Sequence, residues 1–166
     1  MGHYIITKKG YEFLKQVKEE AREQLNQATK NKSEAGNGQD GWHDEGFKLG
    51  IAEEMKWSKK LADLQKIEQN TSIVEPEEQN ETVQLGNGVI IEYEDGTIKS
   101  FILDGYMGFP PPGMISVYSP LGRTLLGSTQ GEERILYLDN REVLVQVKEI
   151  FPPSKAEAVH YENVNV

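Results

Sequence analysis

The sequence contains no cysteine among its 166 residues, which excludes disulfides, thiolate metal sites and cysteine nucleophiles and fits a reducing cytoplasm. Basic residues are also few, since 18 lysines and arginines face 27 acids for a net charge of -9. That balance argues against a broad basic face that binds nucleic acid, because such binding depends on neutralising phosphates. No apolar run approaches the roughly 20 residues of a membrane span, and the start MGHYIITKKG lacks the apolar core of a signal peptide. These absences predict an acidic cytoplasmic protein without a membrane segment.

The first half of the chain is predicted to form two helices. It has no proline between Tyr11 and Ile67, and its apolar residues recur at steps of three or four on either side of a break. These residues are Tyr11, Leu14, Val17, Ala21, Leu25 and Ala28 before the break, and Phe47, Ile51, Met55, Leu61, Leu64 and Ile67 after it. Thr7 is the expected N-cap, and a glycine-rich cluster is the expected turn. The narrow apolar seam indicates an antiparallel coiled-coil hairpin over residues 1–74 with its tip at 36–47.

The second half is predicted to be a small β domain. An acidic stretch at 75–82 has no apolar pattern and is expected to be a linker. Beyond it, β-rich runs around an Asp-Gly turn predict a mainly antiparallel sheet over 83–152. Ser119 and Pro120 mark the cap and the first position of a short helix within this region. Residues 153–166 are expected to form a flexible tail. The predicted fold class is therefore α+β.

Two segments of the sequence carry a family resemblance. Residues 115–127 read ISVYSPLGRTLLG and match the signature ISxxSPxxRxLxG at each fixed position. The opening ITKKGYEFL at 6–14 is similar to a T-x-x-G-x-x-x-L start. On these motifs the chain resembles the Gre family of bacterial transcript cleavage factors, GreA and GreB, from Ile6 to about Ile150.

The resemblance implies a helical hairpin followed by a C-terminal domain with an FKBP-like fold. It further implies that the C-terminal domain docks at the rim of the secondary channel of bacterial RNA polymerase. The hairpin would enter that channel and bring acidic tip residues to the catalytic centre, near the 3′ end of the nascent RNA. Such a protein is expected to be a monomer without an active site of its own, and to support the polymerase's own Mg²⁺-dependent cleavage of backtracked RNA.

The tip departs from the family pattern G-D-x-(R/K)-E-N-A-E-Y, since residues 39–47 read QDGWHDEGF. Asp40 matches the family aspartate, but His43 stands where the family has glutamate. A one-residue shift of the loop would put Asp44 at the position of the missing glutamate. Our hypothesis is that Asp40 and Asp44 support the second Mg²⁺ of the polymerase, with Glu45 as a further carboxylate, because Mg²⁺ prefers oxygen ligands.

Three other tip residues are predicted to contact the partner. His43 would orient the attacking water or contact phosphate, since a neutral imidazole is a poor Mg²⁺ ligand. Trp42 would stack on a base, enter an apolar notch of the partner or pack back on the hairpin. Phe47 takes the place of the family tyrosine and lacks its hydroxyl. For the tip acids, the alternative is that they only cap and solvate a turn.

A second candidate site comprises Ser119, Pro120 and Arg123, which are predicted to bind the polymerase. Arg123 would face an acidic site there, because guanidinium suits carboxylate pairing. The structural alternative is a capped helical turn that anchors the adjacent leucines in the core. The first helix also carries the basic residues Lys8, Lys9, Lys15, Lys18 and Arg22. Two interpretations are open for them: they would contact RNA in the channel, or they would form an ordinary solvated helix surface.

Three functions are weighed on this sequence. The first is a transcription elongation factor that stimulates cleavage of backtracked RNA. The second is a Gre-like regulator that occupies the same channel without promoting cleavage and inhibits the polymerase, which the altered tip favours. The third is a free-standing FKBP-type prolyl isomerase or coiled-coil adaptor, for which the second half shows no recognisable aromatic pocket.

Overall fold

The computed structural model describes residues 3–36, 45–108 and 110–157, and the chain divides into two compact units. The helical unit comprises Met1–His3 and Glu12–Thr71, and the sheet unit comprises Tyr4–Tyr11 and Ser72–Val166. The predicted α+β class is confirmed. The segment Tyr4–Tyr11 falls in the sheet unit rather than with the hairpin, because its first residues form a strand that pairs with the strand following the second helix.

Two long helices form the hairpin: α1 spans Lys8–Gly36, with its first turn in the sheet unit, and α2 spans Glu45–Gln69. Early residues of α1 contact late residues of α2. Lys18 Nζ donates to Glu68 at 2.5 Å, and Thr29 Oγ1 donates to Glu54 at 3.2 Å. Since the residue number rises along α1 as it falls along α2, the two helices are antiparallel, and the predicted hairpin is confirmed.

The seam between the helices is narrow. On α1 the buried residues Leu14, Ala21 and Ala28 lie seven apart, which is the repeat of a coiled-coil stripe. A Cβ added to Gly50 of α2 would lie 2.8 Å from Lys32 Cβ and 2.9 Å from Lys32 Cα. Glycine at position 50 is therefore what allows the two backbones to approach this closely.

The apolar face predicted for α2 is wrong at two positions. Ile51 and Met55 are 38% and 68% exposed and lie away from α1. In this part of α2, the residues that contact α1 follow a spacing of three and four: Phe47, which was predicted, and Gly50, Glu54 and Trp57, which were not. Leu64 of the predicted face is buried, as expected. The prediction failed because a glycine and a glutamate in the seam do not register as apolar, although both fit the narrow interface.

The described residues form seven strands in or at the edge of the sheet unit, together with a short helix. A two-stranded sheet joins β1 (Tyr4–Ile6) to β2 (Thr71–Ile73). A five-stranded sheet has the order β5-β4-β3-β7-β6. Its strands are β3 (Gly88–Tyr93), β4 (Ile98–Asp104), β5 (Met114–Ser116), β6 (Glu133–Leu138) and β7 (Arg141–Phe151). The helix α3 (Pro120–Leu125) lies between β5 and β6 along the chain.

The five-stranded sheet is mainly antiparallel, as predicted, but one of its strand pairs is parallel. Strand β5 runs parallel to β4, with Ile102 opposite Met114 and Asp104 opposite Ser116. The connection between them contains the prolines at 110–112, which have no N–H to donate to a ladder. This segment therefore crosses back as a loop instead of forming a hairpin strand. The other three strand pairs of this sheet are antiparallel.

The core of the sheet unit lies on one face of the five-stranded sheet. Alternate residues of β7 (Val143, Val145 and Val147) point into it, and Leu125 of α3 is fully buried there. The remaining buried members are Val83, Val89, Ile91, Leu103, Val117, Leu136 and Ile150. A short helix that buries a leucine in this way is held in place by the sheet beneath it.

Two predicted irregular stretches have local order in the described residues. Within 75–82, the predicted linker, the Gln79 amide donates to Asn87 Oδ1 at 3.0 Å and to the Thr82 carbonyl at 2.9 Å. At the start of the predicted tail, Pro153–Lys155 form a 3-10 turn and Ala156 is buried. Residues 158–166 lie outside the described part. Among the residues that the structure describes, no helix is long and apolar enough to cross a membrane.

Candidate functional site

The predicted tip lies largely outside the described residues, which include neither Asp40, Trp42, His43 nor Asp44. The two ends of the intervening segment 37–44 are described. A Cβ on Gly36, the last residue of α1, would lie 3.2 Å from the ring carbons Cδ2 and Cε2 of Phe47. The end of α1 and the start of α2 are thus in contact at this point, and the acidic segment connects them along the chain.

The described tip residues are a half-buried aromatic ring and an exposed carboxylate. Phe47 packs toward α1, so part of the ring stabilises the hairpin. Glu45, the first residue of α2, has a side chain that is 90% exposed, and it accepts a hydrogen bond from Lys48 Nζ at 3.3 Å. A carboxylate in the first turn of a helix also interacts favourably with the helix dipole. Glu45 is therefore accessible to a partner.

A charged pair braces the hairpin about one turn before the end of α1 and about two and a half turns after the start of α2. Lys32 of α1 and Glu54 of α2 form an ion pair, and Thr29 Oγ1 donates to the same carboxylate. The hydrogen bond from Lys32 is the largest of the effects that hold the pKa of Glu54 below its ordinary value. Because the pair joins both helices, it helps to fix the distance between them near the tip.

The described tip residues offer few ligands for a divalent metal ion. Over residues 3–36, 45–108 and 110–157, no cluster of three or more His, Asp or Glu side chains could hold a metal ion. Glu45 supplies the oxygen type that Mg²⁺ prefers, and so do the aspartates of the neighbouring sequence. The donor chemistry fits Mg²⁺, and the Mg²⁺ assignment stays a prediction.

The second candidate site is a tightly built helical turn. Ser119 is the N-cap of α3: its hydroxyl accepts from Gly122 N at 3.0 Å and donates to the Ser116 carbonyl at 2.7 Å. Pro120 occupies the first helical position, where its missing N–H costs nothing. A Cβ on Gly122 would lie 2.0 Å from the Ser116 oxygen, so this position requires glycine.

Arg123 has a different place in the same motif. Its side chain is exposed, and its guanidinium makes no hydrogen bond or ion pair with the part of the chain that the structure describes. The signature segment therefore divides into residues that build the turn and one arginine that the turn presents. The structural alternative accounts for Ser119 and Pro120, whereas Arg123 is available for a partner.

Sequence reasoning missed the buried carboxylate of Asp104. It is 2% exposed and accepts hydrogen bonds from Thr7 N at 3.0 Å, Thr7 Oγ1 at 2.5 Å and Gly105 N at 2.7 Å. Thr7 in turn caps α1, since its Oγ1 accepts from Gly10 N at 3.1 Å, which confirms the predicted N-cap. A Cβ on Gly10 would lie 2.6 Å from Asp104 Oδ2. The spacing T-x-x-G thus has a physical cause: threonine binds the carboxylate and glycine leaves room for it.

Comparisons with known proteins agree with this arrangement of motifs. No family model matches the chain. The chain is 31% identical over 146 residues to the transcription inhibitor protein Gfh1 of Thermus thermophilus, a match that covers 81% of this chain and 86% of that protein. The chain belongs to the Gre family of transcription factors, as the sequence motifs predict.

Solved structures of Gfh1 are also similar to this chain. The GreA factor homolog 1 (Gfh1) of Thermus thermophilus has 29% identity and a TM-score of 0.44, covering 89% of this chain and 98% of that one. The Thermus aquaticus Gfh1 has 27% identity and a TM-score of 0.44, covering 91% and 99%. The family assignment depends on the sequence match with the curated relative.

Proposed function

We propose that this protein regulates transcription by docking its sheet unit on RNA polymerase and inserting its helical hairpin into the secondary channel, where it inhibits synthesis without promoting RNA cleavage. The observation that carries this proposal is the hairpin itself, with an acidic segment at its turn in which His43 replaces the family glutamate. The name of the relative, a transcription inhibitor, supports the inhibitory mode.

The dimensions of the hairpin suit a probe that enters a channel. At 1.5 Å per residue, the 29 residues of α1 extend about 43 Å and the 25 residues of α2 about 38 Å. The basic residues Lys15, Lys18 and Arg22 of α1 are each within 3 Å of a glutamate oxygen. This pairing favours a solvated helix surface over an RNA-binding track on α1.

A second mode, stimulation of cleavage, is favoured by the carboxylates that the tip retains. Asp40 and Asp44, with Glu45 next to them, would hold Mg²⁺ jointly with the polymerase. A second Mg²⁺ placed there supplies activation of water and stabilisation of the leaving oxygen in phosphodiester cleavage. Loss of the family glutamate leaves one fewer carboxylate at its usual place, which is why inhibition is the mode proposed.

Arg123 is proposed to anchor the sheet unit on an acidic site of the polymerase. The capped turn holds the backbone at this position, and the side chain is exposed. Changing Arg123→Glu should weaken polymerase binding with little effect on stability. The matched control is Arg141→Glu at the start of β7, which is exposed and makes the same change of charge.

The two modes are separated by one assay on stalled, backtracked elongation complexes with purified protein and Mg²⁺. Inhibition predicts slower nucleotide addition and no new short 3′ RNA fragments. Cleavage predicts such fragments, lost in the double variant Asp40→Asn/Asp44→Asn and kept in the control Glu23→Gln/Asp63→Asn on exposed positions of the two helices. Wild-type protein that neither binds the polymerase nor changes either readout contradicts both modes.

A further inference from the structure

The outer face of α2, on the side away from α1, has an unusual composition for this chain. Eight exposed residues that include no acid lie within about 120° of one another around the helix axis. They are Lys48, Ile51, Ala52, Met55, Ser58, Lys59, Ala62 and Lys66. We call this set the α2 outer face. Its formal charge is +3, on a protein whose net charge is -9.

The lysines of the α2 outer face are poorly neutralised. Lys59 and Lys66 have no carboxylate within 4 Å among the described residues, and Lys48 is bound to the exposed Glu45 at 3.3 Å. Elsewhere on the hairpin, in contrast, Lys18 and Lys32 are tied to glutamates of the opposite helix. The α2 outer face is therefore a local positive surface that no described residue of the protein occupies.

The spacing of this face indicates the shape of its partner. Lys48, Ala52, Met55, Lys59, Ala62 and Lys66 follow steps of four and three. This is the spacing of a seam against which a second helix packs. The row is about 27 Å long, and its alanines leave shallow places between longer side chains. Lysine stems and Met55 supply apolar contact, while the ammonium groups call for carboxylates opposite them.

We propose that the α2 outer face binds an acidic helical segment of RNA polymerase when the hairpin is in place. The inference rests on the proposed function, because it takes the polymerase as the partner. It adds a contact surface along the shaft of the hairpin, distinct from the tip and from Arg123. The interaction is expected to weaken as salt rises, since exposed charge pairs are screened.

The test uses the full chain and purified RNA polymerase. A photo-crosslinking amino acid replaces Met55, which is 68% exposed and makes no polar contact that the fold needs. In parallel, affinity is measured for the variant Lys48→Glu/Lys59→Glu/Lys66→Glu. The control Lys15→Glu/Arg22→Glu/Lys30→Glu makes the same charge change on exposed positions of α1. A Lys→Gln version of the first triple keeps most of the side-chain length and checks that folding is unaffected.

The proposal predicts a crosslink from position 55 to an acidic polymerase peptide. It also predicts a loss of affinity of about tenfold or more for the first triple, against about threefold or less for the control. A crosslink to RNA, to a second copy of this chain or to a non-acidic peptide overturns it. The proposal is also overturned if a folded Lys48→Glu/Lys59→Glu/Lys66→Glu variant binds the polymerase with unchanged affinity, even if wild-type protein still inhibits transcription. If wild-type protein fails to bind the polymerase, this inference and the proposed function both fall.

Discussion

Removal of the buried carboxylate Asp104 is predicted to destabilise the protein strongly. In Asp104→Ala the donors Thr7 N, Thr7 Oγ1 and Gly105 N lose their common acceptor. Leaving Thr7 N and Gly105 N without an acceptor costs about 1–3 kcal/mol of unfolding free energy for each group. Part of this cost is offset because the variant no longer buries a charged carboxylate. The expected net loss is about 2–5 kcal/mol. Asp104→Asn keeps one carbonyl oxygen as acceptor and should cost about 1–2 kcal/mol.

The assay is urea and thermal unfolding followed by circular dichroism. For a chain of this size, 1 kcal/mol corresponds to about 2–4 °C in Tm, so Asp104→Ala should melt about 5–15 °C lower. The control is Asp139→Ala in the exposed turn between β6 and β7, expected to stay within about 0.5 kcal/mol of wild type. If Asp104→Ala unfolds with the same free energy as Asp139→Ala, the Asp104 carboxylate does not organise the start of α1.

Three further changes test the packing of the hairpin, its acid response and the capped turn. Gly50→Ala should destabilise by about 1–3 kcal/mol in thermal unfolding despite the better helix propensity of alanine, because its Cβ meets the Lys32 backbone; a gain in stability would show that the helices can separate freely. The pKa of Glu54 is lowered in the folded protein from its ordinary value of 4.5. Its ionised carboxylate therefore stabilises the fold fully above pH 4.5, and this contribution is lost as pH falls through the lowered pKa. Glu54→Gln should therefore be less stable than wild type at neutral pH, and the difference should shrink below pH 4.5; a constant difference contradicts this assignment. Ser119→Ala should cost about 0.5–2 kcal/mol in thermal unfolding, because it removes the acceptor for Gly122 N and the donor to the Ser116 carbonyl. Ser119→Asp can accept from Gly122 N but cannot donate to that carbonyl, so it should recover only part of the loss.

Local sequence signals predicted the parts of this fold that depend on neighbouring residues. The N-cap Thr7 and the helix start at Ser119-Pro120 depend on contacts within a few positions. The buried residues of α1 were predicted because a helix repeats its apolar face every three or four residues. Asp104 did not follow from the sequence, because its main partner is 97 positions away and an aspartate at a strand end is usually exposed.

The seam of α2 shows a second limit of sequence reasoning. Apolar spacing assigned Ile51 and Met55 to the interface, but Gly50 and Glu54 lie there instead. Gly50 adds no apolar area to the seam but lets the two helix backbones approach closely. Glu54 is tolerated in the seam because Lys32 neutralises its charge. The parallel pairing of β5 was missed for a related reason, since strand direction depends on where the chain returns after the prolines.

The most direct test of the central claim is competition with a GreA-type cleavage factor on backtracked elongation complexes. If this hairpin occupies the secondary channel, adding the protein should suppress factor-stimulated release of short 3′ RNA fragments in a concentration-dependent way and slow nucleotide addition. Arg123→Glu should require a higher concentration for the same effect. Unchanged fragment release at concentrations where the protein is bound to the polymerase would contradict the account, because the channel would then still be open to the other factor.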